Sequence, residues 1–220
     1  MSRGRQRSRG TGSVVAAAGE TVRQPPATTR GARTRANLVH AARFIFERDG
    51  YLDARLTDIT AQAQCSTGSF YTYFDSKEEI FRAVLEAAKE DMMHPGMARI
   101  DNLDDPRAVI EASNRAYFEA YQRNAKLMGL LEQVASIDPE FRELRRKRSG
   151  EFSARNARGI ERLKAQGLVD PELDALFASR ALSAMVSRLA YYTFVLGESA
   201  PLDDLVEVST RLWCNALRLQ

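Results

Sequence analysis

Residues 56–74 read LTDITAQAQCSTGSFYTYF, and this stretch decides the fold that we predict for the chain. Its first half repeats small or apolar residues at positions i, i+3, i+4 and i+7, which is the spacing of one buried helical face. The residues of that face are Leu56, Ile59, Thr60 and Ala63. Gln64 and Cys65 then interrupt the pattern, so the sequence predicts a short helix followed by a tight turn.

A second short helix follows the turn and presents a surface that suits DNA. Ser66 is placed to cap this helix, because its hydroxyl can accept a hydrogen bond from an unpaired amide of the next turn. Phe70 and Phe74 lie four residues apart and therefore share the buried face. The outward face carries no acid and consists of Thr67, Gly68, Ser69, Thr72 and Tyr73. Such a helix fits the major groove, where its N-terminal residues meet base edges and its flanks meet phosphates.

Further residues occur in a fixed order around these two helices. They are Ala41, Phe44, Phe46, Gly50-Tyr51, Asp58-Ile59 and Gly68-Ser69-Phe70-Tyr71-x-x-Phe74-x-Ser76-Lys77-Glu78. With them, residues 33–85 resemble the DNA-binding domain of the tetracycline-repressor-like (TetR/AcrR) family of bacterial regulators. Three residues depart from the family pattern. Arg55 stands where a Ser or Thr usually caps the second helix, and Gln64 stands where the turn usually has Gly. Thr67 stands where the helix that reads DNA often begins with Lys or Arg. These departures concern the operator sequence and leave the expected fold unchanged.

The resemblance also implies which side chains touch DNA. Thr67, Gly68 and Ser69 would approach base edges, and Thr57 would touch the backbone or a base. Lys77 would hold a phosphate together with the tyrosines of the second helix, because a helix N-terminus attracts anions. A solvated lysine is the alternative for Lys77. The complete predicted DNA-binding set is Thr57, Ser66, Thr67, Gly68, Ser69, Tyr71, Thr72, Tyr73 and Lys77.

The same periodicity predicts helices on both sides of this unit. A first helix over residues 34–49 would end at Gly50, and Asp75-x-x-Glu78 resembles a capping box that opens a fourth helix. His94-Pro95-Gly96 would end that helix and mark a domain boundary. Three Asp-Pro pairs each predict a further helix, because they place an N-cap acid before a proline at the first helical position. These pairs are Asp105-Pro106, Asp138-Pro139 and Asp170-Pro171. No segment alternates apolar and polar residues, so we predict an all-α protein.

Positive charge is concentrated at the N-terminus. The 220 residues carry a net charge of +3, but residues 1–35 contain eight Arg and a single acid, a net charge of +7. Residues 1–32 have too few large apolar side chains to fold alone, and we predict a disordered basic arm that adds sequence-independent DNA affinity. A transit peptide is the alternative, since Arg and Ser with few acids also fit that class. The helix-turn-helix domain would then span residues 33–94.

The composition also limits the chemistry that we expect. Two cysteines, Cys65 and Cys214, make a disulfide framework improbable and a reducing cytoplasm the expected compartment. His40 and His94 stand apart from any cluster with metal-ligand spacing, so we predict no metal site. No run approaches the roughly 20 apolar residues of a membrane helix. No catalytic constellation is present, so we expect neither an enzyme nor a cofactor.

Residues 95–220 are predicted to form a helical effector-binding and dimerisation domain. Its last two helices are apolar on more than one stripe, which indicates a second set of neighbours. In the resembled family these neighbours are the same two helices of a second subunit; burial inside one larger monomer core is the alternative. Aromatic, sulfur-containing and polar residues on the inner faces would line a ligand cavity, although each could also be a core residue or extend to solvent. They are Asn114, Tyr117, Tyr121, Met128, Arg148, Phe152, Asn156, Met185, Arg188 and Tyr192.

The sequence therefore predicts a homodimeric transcriptional regulator that binds double-stranded DNA. We expect a repressor that a small apolar or amphipathic ligand releases from a palindromic operator. The alternative is an effector-independent architectural DNA-binding protein of the same fold, which predicts a C-terminal core that closes without a cavity.

Overall fold

The computed structural model describes residues 28–94 and 105–219, and within these two ranges the regular structure is entirely α-helical, as predicted. The helices are α1 (Thr29–Asp53), α2 (Leu56–Gln62), α3 (Thr67–Tyr73), α4 (Lys77–Met93), α5 (Pro106–Arg123), α6 (Ala125–Ile137), α7 (Pro139–Ala165), α8 (Ala175–Phe194) and α9 (Leu202–Leu217). In the described part of the chain, no helix is long and apolar enough to span a bilayer. Most of the predicted basic arm, residues 1–27, lies outside the described residues.

The first helix begins earlier than the apolar periodicity predicts. Thr28 caps it by accepting a hydrogen bond from the Gly31 amide at 3.1 Å. The predicted arm boundary at residue 32 is therefore wrong, because a polar N-cap starts a helix before its first apolar contact. Gly50 interrupts the helical backbone at φ +81°, a left-handed conformation that glycine adopts without steric cost.

Aromatic side chains join α1, α3 and α4 into the core of the N-terminal domain. The rings of Phe46 and Phe81 are 4.9 Å apart, and those of Phe70 and Phe74 are 5.8 Å apart. All four side chains are fully buried. The buried face predicted for the two short helices is confirmed at Ile59, Phe70 and Phe74, so α3 is fixed against a rigid support.

Two of the predicted helix starts are shifted. Ser76 caps α4 by accepting from the Glu79 amide at 3.2 Å, and Glu79 in turn accepts from the Asp75 amide, so the capping pair lies one residue after the predicted one. Asp170 accepts from the Glu172 amide in a separate turn, whereas Asp174 caps α8. The starts predicted at the two earlier Asp-Pro pairs are confirmed, because α5 begins at Pro106 and α7 at Pro139.

Helix α7 packs against α6 and α8, α9 packs against α5, and the first turn of α7 also reaches the N-terminal domain. The fully buried Phe141 ring lies 5.3 Å from Phe81 and 5.9 Å from Tyr51. Beside it, the Arg82 guanidinium lies over the Phe141 ring and pairs with Glu140. The two domains therefore share a continuous core at this point, which couples their relative positions.

Candidate nucleic-acid interface and effector domain

A left-handed residue makes the turn between α2 and α3. Gln64 has φ +53°, and the Cys65 amide donates to the Thr60 carbonyl at 3.0 Å. A side chain in this conformation is strained, because its Cβ crowds the following carbonyl. Cys65 is half-buried, and burial raises the pKa of its thiol. The structure therefore gives Cys65 the packing role of a small filler in the turn.

The second short helix, α3, has the N-terminal cap and the buried aromatic face that the sequence predicts. The Ser66 hydroxyl accepts a hydrogen bond from the Ser69 amide at 3.1 Å, and the Thr72 hydroxyl donates to the Gly68 carbonyl at 3.2 Å. The buried rings of Phe70 and Phe74 fix the rotation of α3 about its axis. The outward face is thus held in one orientation by groups on the opposite face.

Eight of the nine predicted DNA-binding residues lie in or directly beside the two short helices α2 and α3, and none of the eight is buried. Thr57, Thr67 and Gly68 are exposed. The other five are Ser66, Ser69, Tyr71, Thr72 and Tyr73, of which Ser69 and Tyr73 are half-buried. Arg55, at the N-cap of α2, is exposed and makes no capping bond with its side chain. No acid occupies the first or last turn of α3, so a phosphate backbone can approach this helix without local repulsion.

Arg35 is a contributor to this region that the sequence analysis did not single out. Its guanidinium lies 5.0 Å from the centre of the Phe74 ring, at the C-terminal end of α3. The contact places a positive charge beside the recognition helix. Only the packing of α1 against α3 creates this contact, because the two residues are far apart along the chain.

The ninth residue, Lys77, makes contacts within the protein that the sequence analysis did not predict. Its ammonium donates to the carbonyls of Tyr51, Leu52 and Ala54 at 2.9, 3.1 and 3.2 Å, and it lies 4.9 Å from the Tyr51 ring centre. A lysine has three N–H donors, and these contacts use all of them. Lys77 therefore fastens the end of α1 to the start of α4. Its role as a phosphate ligand stays a prediction.

The polar residues predicted to bind an effector pair with neighbouring helices. The Asn114 amide donates to the Thr210 hydroxyl at 3.1 Å, joining α5 to α9. The Asn156 amide donates to the Ser183 hydroxyl at 3.0 Å, joining α7 to α8. Arg188 is exposed, and its guanidinium stacks on the Tyr192 ring at 4.7 Å. These contacts explain the polar residues on the inner faces without a ligand.

Arg148 is the exceptional residue of that set because it is a buried charge. Only 6% of it is exposed, and its guanidinium donates to the Leu85 carbonyl of α4 at 3.1 Å. Burial lowers the pKa of Arg148. Arg155, two turns further along α7, donates to the Met93 carbonyl at 2.7 Å. The two arginines bind α7 to the backbone of α4, which is the helix that follows α3 in the chain.

Three of the four aromatic members of the predicted effector set form one cluster, and the fourth, Tyr192, stacks with Tyr191 and Arg188 instead. The Tyr117 ring lies 5.9 Å from Tyr121 and 6.0 Å from Phe152. Tyr121 is buried, and burial raises the pKa of its phenol. Met128 is buried, and Met185 is half-buried beside the core. The prediction that these side chains line a cavity remains a prediction.

Two clefts are present elsewhere in the described structure. A cleft of about 320 Å³ lies between α1, α6 and the end of α8, and one of about 300 Å³ lies between the end of α4 and α7. Neither is lined by a residue of the predicted effector set. A separate feature of the C-terminal domain is the exposure of large apolar side chains on α8 and α9. The most exposed of them is Phe177, at 72%.

These features define the class of the protein as a helix-turn-helix DNA-binding protein with a C-terminal helical domain. Residues 38–84 match the family model described as bacterial regulatory proteins of the tetR family. The chain is 26% identical over 198 residues to the HTH-type transcriptional regulator TtgR of Pseudomonas putida. This aligned region covers 84% of this chain and 92% of that protein. It is also 27% identical over 99 residues to the HTH-type transcriptional repressor NicS of Pseudomonas putida, covering 45% of this chain and 47% of that protein.

Solved structures share the fold. A TetR-family transcriptional regulator from Rhodococcus sp. superposes with a TM-score of 0.70 at 16% identity, covering 84% of this chain and 99% of that one. One from Syntrophomonas wolfei gives a TM-score of 0.68 at 19% identity, covering 84% and 95%. The family model and the curated relatives together support a regulator of the TetR/AcrR family.

Proposed function

We propose that this protein is a homodimeric transcriptional repressor that binds a palindromic operator through α3 and is released by a small-molecule effector in the cytoplasm. The observation that carries the proposal is the outer face of α3, which is exposed, free of acids and rich in hydroxyl groups, on a helix fixed by buried Phe70 and Phe74. A rigidly supported surface can discriminate base pairs, because wrong partners cannot be accommodated by a shift of the helix.

The proposed DNA contacts divide into two kinds. Thr67, Gly68 and Ser69 occupy the first turn of α3 and would meet base edges. Gly68 has no side chain, so the backbone there can come close to a base pair. Tyr71 and Tyr73 would hold phosphates on the two flanks of the helix. Phosphate contacts fix the register of the protein on the duplex, and the first-turn residues then supply specificity.

Dimerisation is supported by the exposed apolar surface of the last two helices. Phe177 and Leu176 of α8 and Leu212 of α9 are exposed large side chains. Association of two such surfaces would remove this apolar area from water. A twofold axis would then place two recognition helices in successive major-groove faces about 34–36 Å apart, which requires a palindromic operator.

Control by an effector is supported by the contacts between the domains. The Arg148 and Arg155 side chains hold α7 to the backbone of α4, and Phe141 enters the core of the N-terminal domain. A ligand that prefers a different position of α7 would therefore prefer a different position of α4 and α3. The free energy by which the ligand shifts this equilibrium equals the difference between its binding free energies for the two positions.

The experiment is a DNA-binding titration on genomic fragments that include the region upstream of the protein's own gene, over a salt series. The full chain is compared with a variant lacking residues 1–27 and with Thr67→Ala. We expect a tight, fragment-selective complex that survives removal of residues 1–27. Thr67→Ala should reduce selectivity, and the matched variant Lys147→Ala on the exposed face of α7 should not. Unselective binding that is lost with residues 1–27 would refute operator recognition by α3.

An architectural DNA-binding role without an effector is the second candidate. It is favoured by the pairing of Asn114 and Asn156 with neighbouring helices and by the packed rings around Tyr117. It predicts many sites of similar affinity and no compound that changes binding. Selective release by any small molecule would exclude it.

A further inference from the structure

The larger of the two clefts lies at the junction of the domains, away from the effector residues predicted from sequence. Its volume of about 320 Å³ is at the lower end of the roughly 300–1,000 Å³ that ligand sites occupy. Its accessible apolar lining is formed by the half-buried side chains of Leu130, Phe194 and Val195, and Phe46, which also borders the cleft, is fully buried. The remaining lining combines small residues with three polar side chains, those of Glu47, Lys126 and Gln133.

The backbone sets the shape of this cleft. A Cβ at Gly129 would lie 2.9 Å from Val195 Cγ1, so α6 and α8 approach as closely here as a glycine permits. Gly50, at φ +81°, ends the regular turns of α1, and a Cβ built there would meet nothing within 4 Å. The absence of side chains at Gly129 and Gly50 therefore helps to set the width of the cleft, and the side chains of Leu130, Phe194 and Val195 shape its apolar surface.

The unpaired charge in the cleft is positive. Among the described lining residues Glu47 carries the only carboxylate, and it is neutralised by Arg43 at 2.9 Å. Lys126 is exposed and forms no ion pair or hydrogen bond with its side chain to any other described residue. It lies in the first turn of α6, which contains no acid. The cleft therefore offers an ammonium group without a partner next to an apolar floor.

The spacing of the polar groups defines the length of a ligand. Lys126 and Gln133 are seven residues apart on the same face of α6, which corresponds to about 10.5 Å along the helix. Leu130 lies between them on that face, and the Phe194 and Val195 side chains complete the apolar lining. One small anionic group cannot contact both polar ends, and a ligand that contacts both has to span about this distance.

We propose that this cleft binds a rigid amphipathic monoanion, an aromatic carboxylate with a second hydrogen-bonding group at its far end. The carboxylate pairs with Lys126, the ring system packs on Leu130, Phe194 and Val195, and the far polar group meets Gln133. A second carboxylate is disfavoured, because Gln133 offers no charge. The chemistry of the lining thus selects single-headed anions over dianions and over neutral molecules.

The regulatory consequence rests on the proposed function. The cleft is bordered by Glu47 and Gly50 of α1 in the DNA-binding domain together with α6 and α8 of the C-terminal domain. A ligand bound there therefore stabilises one relative position of the two domains. The Phe194 ring also lies 6.5 Å from Phe118 and 6.4 Å from Tyr121, which connects the cleft floor to the aromatic cluster. Occupation of the cleft changes operator affinity in proportion to the ligand's preference for that position.

The test is isothermal titration of the full chain with 6-hydroxy-2-naphthoate, whose carboxylate and hydroxyl lie at opposite ends of a rigid ring system, and with its methyl ester. Lys126→Gln removes the charge, Ala125→Phe fills the cleft from its lining, and Lys147→Gln removes an equal charge on the outer face of α7. We expect the anion to bind more tightly than the ester. Lys126→Gln should weaken binding of the anion by about fivefold. Ala125→Phe should abolish binding of both, and Lys147→Gln should change neither.

Two outcomes overturn the proposal. One is the absence of anion binding by the full chain, and the other is equal binding by the full chain and Lys126→Gln. Because Lys126 is exposed, that variant keeps the fold, and it decides the question even if Ala125→Phe does not fold. Binding to DNA fragments is measured separately with and without the anion. Absence of fragment-selective binding by the protein without the anion would refute the proposed repressor function and leave the titration result intact.

Discussion

Replacing Lys77 by Met tests whether this residue is a structural fastener or a phosphate ligand. The substitution keeps the length of the side chain and removes its ammonium. In the structure the ammonium donates to three carbonyls, those of Tyr51, Leu52 and Ala54, at the end of α1. These acceptors would lose their charged donor, and the aromatic ring beneath would lose a cation.

The magnitude follows from these contacts. A hydrogen bond to a charged group contributes about 1.5–3 kcal/mol, and a cation over an aromatic ring about 0.5–1 kcal/mol at a partly exposed site. The three carbonyls share one ammonium and are partly accessible to water, so their contributions do not add. We therefore expect Lys77→Met to lower the free energy of unfolding by about 2 kcal/mol.

The assay is urea-induced unfolding followed by far-ultraviolet circular dichroism, with Lys147→Met as the matched control. Operator affinity over a salt series is measured on the same proteins. If Lys77 is a structural fastener, Lys77→Met lowers the free energy of unfolding. The dependence of operator affinity on salt concentration, measured for the folded protein, then stays unchanged. An unchanged free energy of unfolding, together with a salt slope reduced by about one phosphate contact, would refute the structural role.

Three further substitutions test local features. Gln64→Gly should raise the free energy of unfolding by about 0.5–1 kcal/mol in urea titrations, because relief of the left-handed strain exceeds the entropy cost of glycine; a loss of stability would contradict the strain. Ser66→Ala should cost about 1 kcal/mol in the same titration and weaken operator binding, since α3 loses its cap; equal stability would show that the cap is unimportant. The hydrogen bond from Arg123 holds the pKa of Asp91 below its usual value. Asp91→Asn should therefore destabilise the protein near neutral pH, and this difference should vanish as pH falls through the lowered pKa. A difference that is constant with pH would contradict the ion pair.

Local signals predicted most of the DNA-binding domain. Ser66, Phe70 and Phe74 could be assigned correctly because a cap and an i, i+4 face depend on residues within one or two turns. Local signals failed where two neighbouring candidates compete. Asp75 and Ser76 can both cap a helix, and only the observed geometry, with Ser76 accepting from the α4 amides, separates them.

The effector domain was less predictable because its polar residues find partners far along the chain. Arg148 meets the carbonyl of Leu85, and Asn156 meets Ser183, and neither partner is marked in the sequence. A buried polar residue signals that it needs a partner without indicating whether a ligand or another helix supplies it. Lys126 lay outside the predicted set for the same reason, since its cleft is formed by helices distant in sequence.

The sequence by itself determined the all-helical class, the two short helices of the DNA-binding unit and the composition of the recognition face, because helical periodicity and capping are set by near neighbours. The tertiary structure alone decided that Lys77 holds the end of α1, that Arg148 binds the backbone of α4 and that an unpaired Lys126 borders a cleft. Each of these depends on which helices meet, and that choice is made by the packing of whole apolar faces rather than by any single stretch of residues.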